Sequence, residues 1–471
     1  MSKKIGNIPT GLTLKKKIMS GGSWALSGKL FSVVTGFLIN ILLARNLPPS
    51  DLGLYFLIIS ITTFTTALGT LGLPQLTVRI IAENVAKNKK EIIKNYIYKL
   101  FILILCAALF TSLLTYFSID IFGKQITKFQ AISRISLIIS SFVFIAILQK
   151  IIAEIYRGFN DIKLFSLLSG PGLYPTDGIL IRFFFITGII SVLYLNPHLS
   201  ISFVIICLLI SDFFAIAITV LLFARKYNFK FSRKYKINTK FTISTSMYLL
   251  KDSWPLLINN LMIFTLAQAD IWIISFLNTT TNTAIYGTAK RFVSIWIIPT
   301  LIFRTFIAPI IAELYSQGEI DKLKVIIQTI VTVIAIPTIL SLIPLYLWGD
   351  SILGFIYGSF YSHSYIILVI LSLNAIFTIF SGIGEELLYM TGHQKITMNI
   401  FLVTGIILLF SGYFGVRHFQ ATGMASSFVG SMVFMHILII YFAKAKTGIL
   451  PIFTNNYTIF KTNIYTFLKN R

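Results

Sequence analysis

Acid is scarce in this chain. Of 471 residues only 16 are Asp or Glu, against 40 Lys and Arg, and charged residues of both signs make up 12%. A soluble domain carries about 25%, so a soluble enzyme and a solvated disordered tail are both excluded. Cysteine is nearly missing, and Cys106 and Cys207 both fall in apolar runs, which excludes a disulfide scaffold. The five histidines are scattered with no pair at ligand spacing, so no metal site is read. No nucleotide-cradling loop survives inspection either. The nearest string, Ser27-Gly28-Lys29-Leu30, lacks the upstream glycine and the hydroxyl that would follow the lysine. No cofactor is therefore expected.

What the chain has instead is apolar length. Hydrophobic residues make up 56% and aromatic residues 14%, with a mean hydropathy of +0.84. Apolar stretches begin near Trp24, Leu52, Ile97, Ile135, Phe165, Leu199, Ser253, Tyr286, Val325, Tyr365, Met398 and Ala421. At about 20 residues per crossing, these are twelve membrane spans of an all-α polytopic protein. The net charge of +24 does not indicate nucleic acid, because the basic residues sit in short segments between spans. Lys15–Lys17, Lys87–Lys94, Arg225–Lys240 and Lys444–Arg471 all fall on one side of the membrane. The opposite loops, Asn278–Ala284 and Gly349–Ser364, are nearly free of Lys and Arg. Both termini are therefore read as cytoplasmic. The basic start leads into a full span with no small-residue cleavage site, so no removable signal peptide is read.

An internal repeat divides the chain. Ser23-Trp24 recurs as Ser253-Trp254, Tyr55 as Tyr286, and Gly158 as Gly392, at offsets of 230, 231 and 234. Interfacial Trp and Tyr belts are the alternative source of such matches. Six helices per half insert in the same orientation, giving two parallel repeats with the substrate path, a central lumen, between them. The expected boundaries are 1–223 for the first six-helix bundle, 224–252 for a basic linker, 253–444 for the second bundle and 445–471 for an interfacial tail. In that tail Phe453, Tyr457, Phe460, Ile464 and Phe467 form one apolar stripe. Val78–Tyr98, which mixes Ile with Lys and Glu, reads as a second interfacial segment. In the fifth span, Ser169-Gly170-Pro171-Gly172 and Tyr174-Pro175 either break the helix over a cavity or merely kink a long tilted one.

Charge inside the spans is costly and faces a cavity or a partner. Arg182 and Asp212 fall near the middle of the fifth and sixth spans, and Lys29 lies inside the first. Arg291 and Arg304 lie on the eighth, and Lys150 and Glu154 form an i, i+4 pair on the fourth. Asp270, 230 positions after Asn40, lies on the seventh, and Glu385 and Glu386 near the end of the tenth. Pairing of Arg182 with Asp212, and of Lys150 with Glu154, is the structural account of these charges. Lys29 and Arg304 have the further option of reaching for the surface, and Asp270 of capping helix contacts.

The order of several short strings resembles a known family. These are Leu43-Ala44-Arg45-x-Leu47-x-Pro49-x-x-x-Gly53-x-Tyr55, Asp270 followed by Tyr286, Ala289 and Arg291, Ile352-Leu353-x-x-x-Tyr357-Gly358-x-x-Tyr361, and Thr391-Gly392-His393. Over nearly the whole chain they are similar to the polysaccharide (O-antigen type) flippases of the multidrug/oligosaccharidyl-lipid/polysaccharide exporter superfamily, whose fold is that of the MATE transporters. The resemblance implies a non-enzymatic carrier that moves an undecaprenyl-pyrophosphate-linked oligosaccharide, an O-antigen or capsule repeat unit, between leaflets of a bacterial cytoplasmic membrane. A polysaccharide polymerase and a chain-length regulator are the implied protein partners, beside the membrane lipids. On that view Lys29, Arg182, Arg291 and Arg304 form a cationic path for the pyrophosphate, arginine suiting phosphate through its bidentate fork. Asp212, Asp270 and Glu386 would take a counter-ion in alternating access, driven by membrane potential or an ion gradient. A MATE-type multidrug exporter is the nearest alternative. A membrane glycosyltransferase or polymerase is opposed by the short outer loops.

Overall fold

The computed structural model describes residues 11–87, 89–169, 177–195, 199–227 and 239–452. The Gly-Pro run at 170–176, residues 228–238 of the basic linker and the tail from Phe453 onward lie outside the described residues. Every regular element among the described residues is helical. That is the solution a lipid-immersed backbone demands, because each helix satisfies its own amide groups. Two compact units emerge, Met1–Ile39 with Ile61–Phe264, and Asn40–Ser60 with Thr265–Arg471. The compact units change over at 39/40, 60/61 and 264/265.

The first unit holds α1 (Gly11–Asn46) as far as Ile39, α2 (Pro49–Gly69) from Ile61, α3 (Leu73–Ala86) and α4 (Lys90–Gln125). It continues through α5 (Gln130–Arg134), α6 (Ser136–Gly158), α7 (Ile162–Leu168), α8 (Ile179–Leu195), α9 (Ile201–Tyr227) and the start of α10 (Thr239–Leu277). Its core is aliphatic, built on Leu73, Ile81, Leu100, Ile104, Val143, Ile147 and Ile181. The mixed segment after α2 divides in two. α3 buries Leu73, Leu76 and Ile81 and exposes Gln75 and Glu83, and α4 starts afresh at Lys90. The fifth span is not one continuous helix, and the Gly-Pro run on which its two readings turn lies outside the described residues. α7 ends at Leu168, Ser169 is extended, and α8 begins at Ile179. The carbonyl of Leu168, freed by the break, accepts a hydrogen bond from Nε2 of the buried Gln149 at 2.8 Å. Asp161 caps α7 and receives Lys226 Nζ at 2.5 Å and Tyr227 Oη at 3.2 Å, fastening the short helix to the end of α9.

The second unit holds residues 40–60, α10 from Thr265, α11 (Thr280–Ser316), α12 (Ile320–Tyr357), α13 (Tyr365–Met390) and α14 (Gln394–Thr447). The Leu43–Tyr55 string owes its place to contacts made here. Arg45 Nε donates to the carbonyl of Ile356 at 2.9 Å, and a second guanidinium nitrogen donates to Phe355, so one side chain closes the end of α12. Gly53 lies against the carbonyl of Thr280, where a Cβ would overlap backbone. Trp272 Nε1 donates to Ser60 Oγ at 3.0 Å. α12 kinks at Trp348, and Tyr365 Oη donates to the carbonyl of Tyr346 at 2.6 Å beside the kink. α14 reverses at Gln420, with φ 51° and ψ −128°, and Ser427 Oγ reaches back to the carbonyl of Ser411 at 2.8 Å. It is therefore a hairpin of two crossings. Nine helices among the described residues are long and apolar enough to cross a membrane. The shorter α8, the charge-bearing α11 and the second arm of α14 bring the crossings to twelve.

Candidate functional site: charges held in the middle of helices

In the first unit the break before α8 decides the electrostatics. The expected partner of Arg182 is Asp212, but the structure pairs it with Asp177, five residues earlier and next to the break. The reason is local: Asp177 stands two residues ahead of α8, the helix that carries Arg182. Asp177 is fixed in turn, because its carbonyl accepts Ser32 Oγ of α1 at 2.6 Å. The Arg182 guanidinium then lies over Gly36, and any Cβ there would overlap it. Lys29, Ser32 and Gly36 are spaced i, i+3 and i+7, one face of α1. Lys29 and Arg182 therefore share that face. Asp212, left out of this pairing, is fully buried on α9, and both carboxyl oxygens lack a hydrogen-bond partner among the described residues. The expected pair on α6 is present and larger than the spacing suggested: Glu154 takes Lys150 at 3.9 Å and also Arg157 at 2.7 Å.

In the second unit three clusters form. Arg304 of α11 presents its whole fork to α13. Two nitrogens meet the two oxygens of Glu385 at 2.9 Å each, and Nε meets Glu386 Oε2 at 3.2 Å. One cation faces two carboxylates, so the cluster is acidic by one charge, with all three side chains at most 22% exposed. Arg291, eighth in chain order after Thr283, stacks on Phe56, its guanidinium carbon 3.6 Å from the ring centre. Asp270 of α10 is fully buried and does more than cap its own helix. Oδ2 accepts Tyr286 Oη at 2.5 Å and Lys290 Nζ at 2.5 Å, while Oδ1 accepts the amide of Ile271 at 2.9 Å.

Of the residues singled out from sequence, the structure therefore brings Arg304 and Glu386 together and places Lys29 and Arg182 on one face of α1. It does not join Arg182 to Asp212, nor Arg291 to Asp270. The reading missed Lys290 and Asp177. Lys290 carried a usable signal, since it follows Tyr286 by four residues and so shares its helix face. A buried polar knot on the second arm of α14 was missed as well. His436 meets Ser381 Oγ at 2.5 Å and Asn374 Oδ1 at 3.1 Å, both on α13. Among the described residues no group of His, Cys, Asp and Glu is arranged to hold a metal ion.

Helical crossings of this number and length define a multi-pass membrane protein. The chain belongs to the polysaccharide biosynthesis protein family, whose model matches residues 18–315. It is 22% identical over 461 residues to an uncharacterized membrane protein of Methanocaldococcus jannaschii, covering 92% of this chain and 85% of that one. Its fold is similar to that of an inward-facing multidrug resistance MATE family transporter of the MOP superfamily, with a TM-score of 0.69 at 13% identity, covering 91% of this chain and 98% of that one. The lipid II flippase MurJ in an inward closed conformation gives a TM-score of 0.67 at 14% identity, covering 88% and 86%. A MOP superfamily transporter from Pyrococcus furiosus gives 0.63 at 15%, covering 94% and 99%. The family resemblance drawn from the sequence strings therefore stands, and the all-helical, MATE-like fold class with it.

Proposed function

We propose that this protein is a flippase that carries a polyprenyl-pyrophosphate-linked oligosaccharide across the cytoplasmic membrane, both termini cytoplasmic, by alternating access. The observation that carries the reading is the match of residues 18–315 to the polysaccharide biosynthesis family on a fold similar to that of a lipid II flippase. Deep cations fit such a cargo. Arg182, Lys290, Arg291 and Arg304 lie on membrane-length or apolar helices, each fixed by a named neighbour. A pyrophosphate offers acceptors that can compete for them. Moving one negative charge outward through 100 mV of inside-negative potential yields roughly 2.3 kcal/mol, which supplies a driving force without nucleotide. A proton or metal cation returning on Asp212, Asp270 or Glu386 resets the carrier. O-antigen or capsule repeat units on undecaprenyl pyrophosphate are the cargo of this reading, with a polysaccharide polymerase and a chain-length regulator acting downstream.

A multidrug exporter is the second reading. The acidic excess at Arg304–Glu385–Glu386 and the carboxyl of Asp212, which has no hydrogen-bond partner among the described residues, favour it, because organic cations seek carboxylates. One reconstitution separates the two. Vesicles holding the purified protein are given a fluorescent polyprenyl-pyrophosphate disaccharide, or ethidium, under an imposed membrane potential. Leaflet exchange of the lipid without ethidium movement supports the flippase; ethidium movement alone overturns it.

A further inference from the structure

Lys290 is a cation whose surroundings are only half committed. Its ammonium lies 2.5 Å from Asp270 Oδ2 and 2.9 Å from the carbonyl of Ala267, and 4.9 Å from the centre of the Phe428 ring. An ammonium has three N–H donors, and two are spent on those oxygens. The Lys290 side chain is 24% exposed while Asp270 is 0% exposed. The lysine is therefore the partly exposed member of the pair and the carboxylate the sealed one. Asp270 keeps Tyr286 Oη and the Ile271 amide if the ammonium moves away. Two neutral hydrogen bonds do not compensate a fully buried negative charge, so a proton is the economical replacement.

Two neighbouring cations of α11 and the histidine of α14 are engaged elsewhere. On α11, Arg291 stacks on Phe56 and Arg304 meets Glu385 and Glu386 of α13. On α14, His436 is turned to Ser381 and Asn374. Among the described residues, Tyr286 and Lys290 are the titratable side chains that touch Asp270.

We propose that Lys290 is an exchangeable ligand for the substrate's pyrophosphate: the anion draws its ammonium off Asp270, and Asp270 takes up one proton in its place. This rests on the anionic cargo of the flippase reading and links one proton to each bound anion within a single helix pair; that proton accompanies the anion, so the returning cation of the flippase reading falls to Asp212 or Glu386. The lysine suits the role because its charge sits on a flexible four-carbon stem, unlike the clamped fork of Arg304.

The test uses full-length protein in phosphatidylcholine nanodiscs, with farnesyl pyrophosphate as the probe. A hydrophobic carbodiimide labels protonated carboxyls in apolar surroundings, and mass spectrometry reads the label at Asp270 and, as an internal control, at Asp212. Farnesyl pyrophosphate should raise Asp270 labelling several-fold and leave Asp212 unchanged; farnesol should do neither. Asp270→Asn frees the lysine and should tighten probe binding by about tenfold, toward the low end of usual site coupling. Lys290→Gln should weaken binding by about as much, and Lys290→Arg should restore part of it. A purely structural ion pair predicts constant labelling and equal affinities, which overturns the exchange while the flippase reading survives. An equal rise on adding phosphatidylglycerol alone assigns the anion to bulk lipid and also overturns it. No probe binding by the unmodified protein defeats the flippase reading and the exchange together. The labelling arm needs no variant to fold.

Discussion

Replacing Arg304 with glutamine leaves Glu385 and Glu386 side by side with no cation, on a helix end where they are 17% and 14% exposed. Removing one partner of a buried ion pair costs about 3 to 5 kcal/mol, most of it the penalty of stranding the other charge. Glu385 receives two parallel hydrogen bonds of 2.9 Å and Glu386 one of 3.2 Å. Glu385→Gln should therefore cost about 2 kcal/mol and Glu386→Gln less than about 1, since the latter also relieves the acidic excess. For a unit of this size each kcal/mol moves the unfolding midpoint by about 2 to 4 °C, so Arg304→Gln should lose roughly 6 to 20 °C. The triple variant, neutral at all three positions, should recover most of that loss. Midpoints from scanning fluorimetry in detergent give the ranking, and surface polysaccharide in a strain lacking the native copy gives the function. A single Arg304→Gln as stable as the parent, or a triple variant no better than the single, refutes the electrostatic argument. A stable triple variant that still exports removes Arg304 from the substrate path.

Asp212→Asn should fold at least as well as the parent, because it removes a fully buried carboxyl that has no hydrogen-bond partner among the described residues; if Asp212 carries the returning ion, export falls in the same cells, and normal export removes it from that role. Gly53→Ala places a methyl on the carbonyl of Thr280 and should cost about 1 to 3 kcal/mol, whereas Gly430→Ala meets nothing within 4 Å and should be silent; thermal midpoints that rank the other way would sink the close-packing account. Cysteines at Asn278 and Ser351 should react with an impermeant thiol reagent on outer-permeabilised cells, and one at Ser232 should not; labelling at Ser232 contradicts the assigned orientation.

The crossings were legible because the apolar runs set them, yet the helices outrun those runs. α10 starts at Thr239 against an apolar onset near Ser253, and α11 at Thr280 against Tyr286. Hydropathy marks the stretch that lipid tolerates, while a helix continues for as long as its own hydrogen bonds are made. Glu154 with Lys150 was legible from one turn of spacing on one helix. Lys290 with Asp270 was not, because the pair joins two helices whose relative register no local pattern encodes. Asp177 was hidden for another reason: it stands ahead of α8 and outside any α-helix, where helical spacing does not apply. Sequence depth alone matched Arg182 to Asp212, two residues that turn to different surroundings once α8 starts at Ile179.

The stretch from Asn40 to Ser60 has a consequence for how the chain is made. It is synthesised early, but Arg45 has to wait for Phe355 and Ile356, Gly53 for Thr280, and Ser60 for Trp272. Until those partners are inserted, an arginine, a bare glycine surface and a hydroxyl stand in the lipid without the groups that complement them. The second unit therefore has no complete core in the second half of the chain alone, and a ribosome that stalls after α9 leaves an early hairpin exposed to quality control. A gene split at the linker should yield two fragments that are each degraded when made singly and persist only when co-expressed.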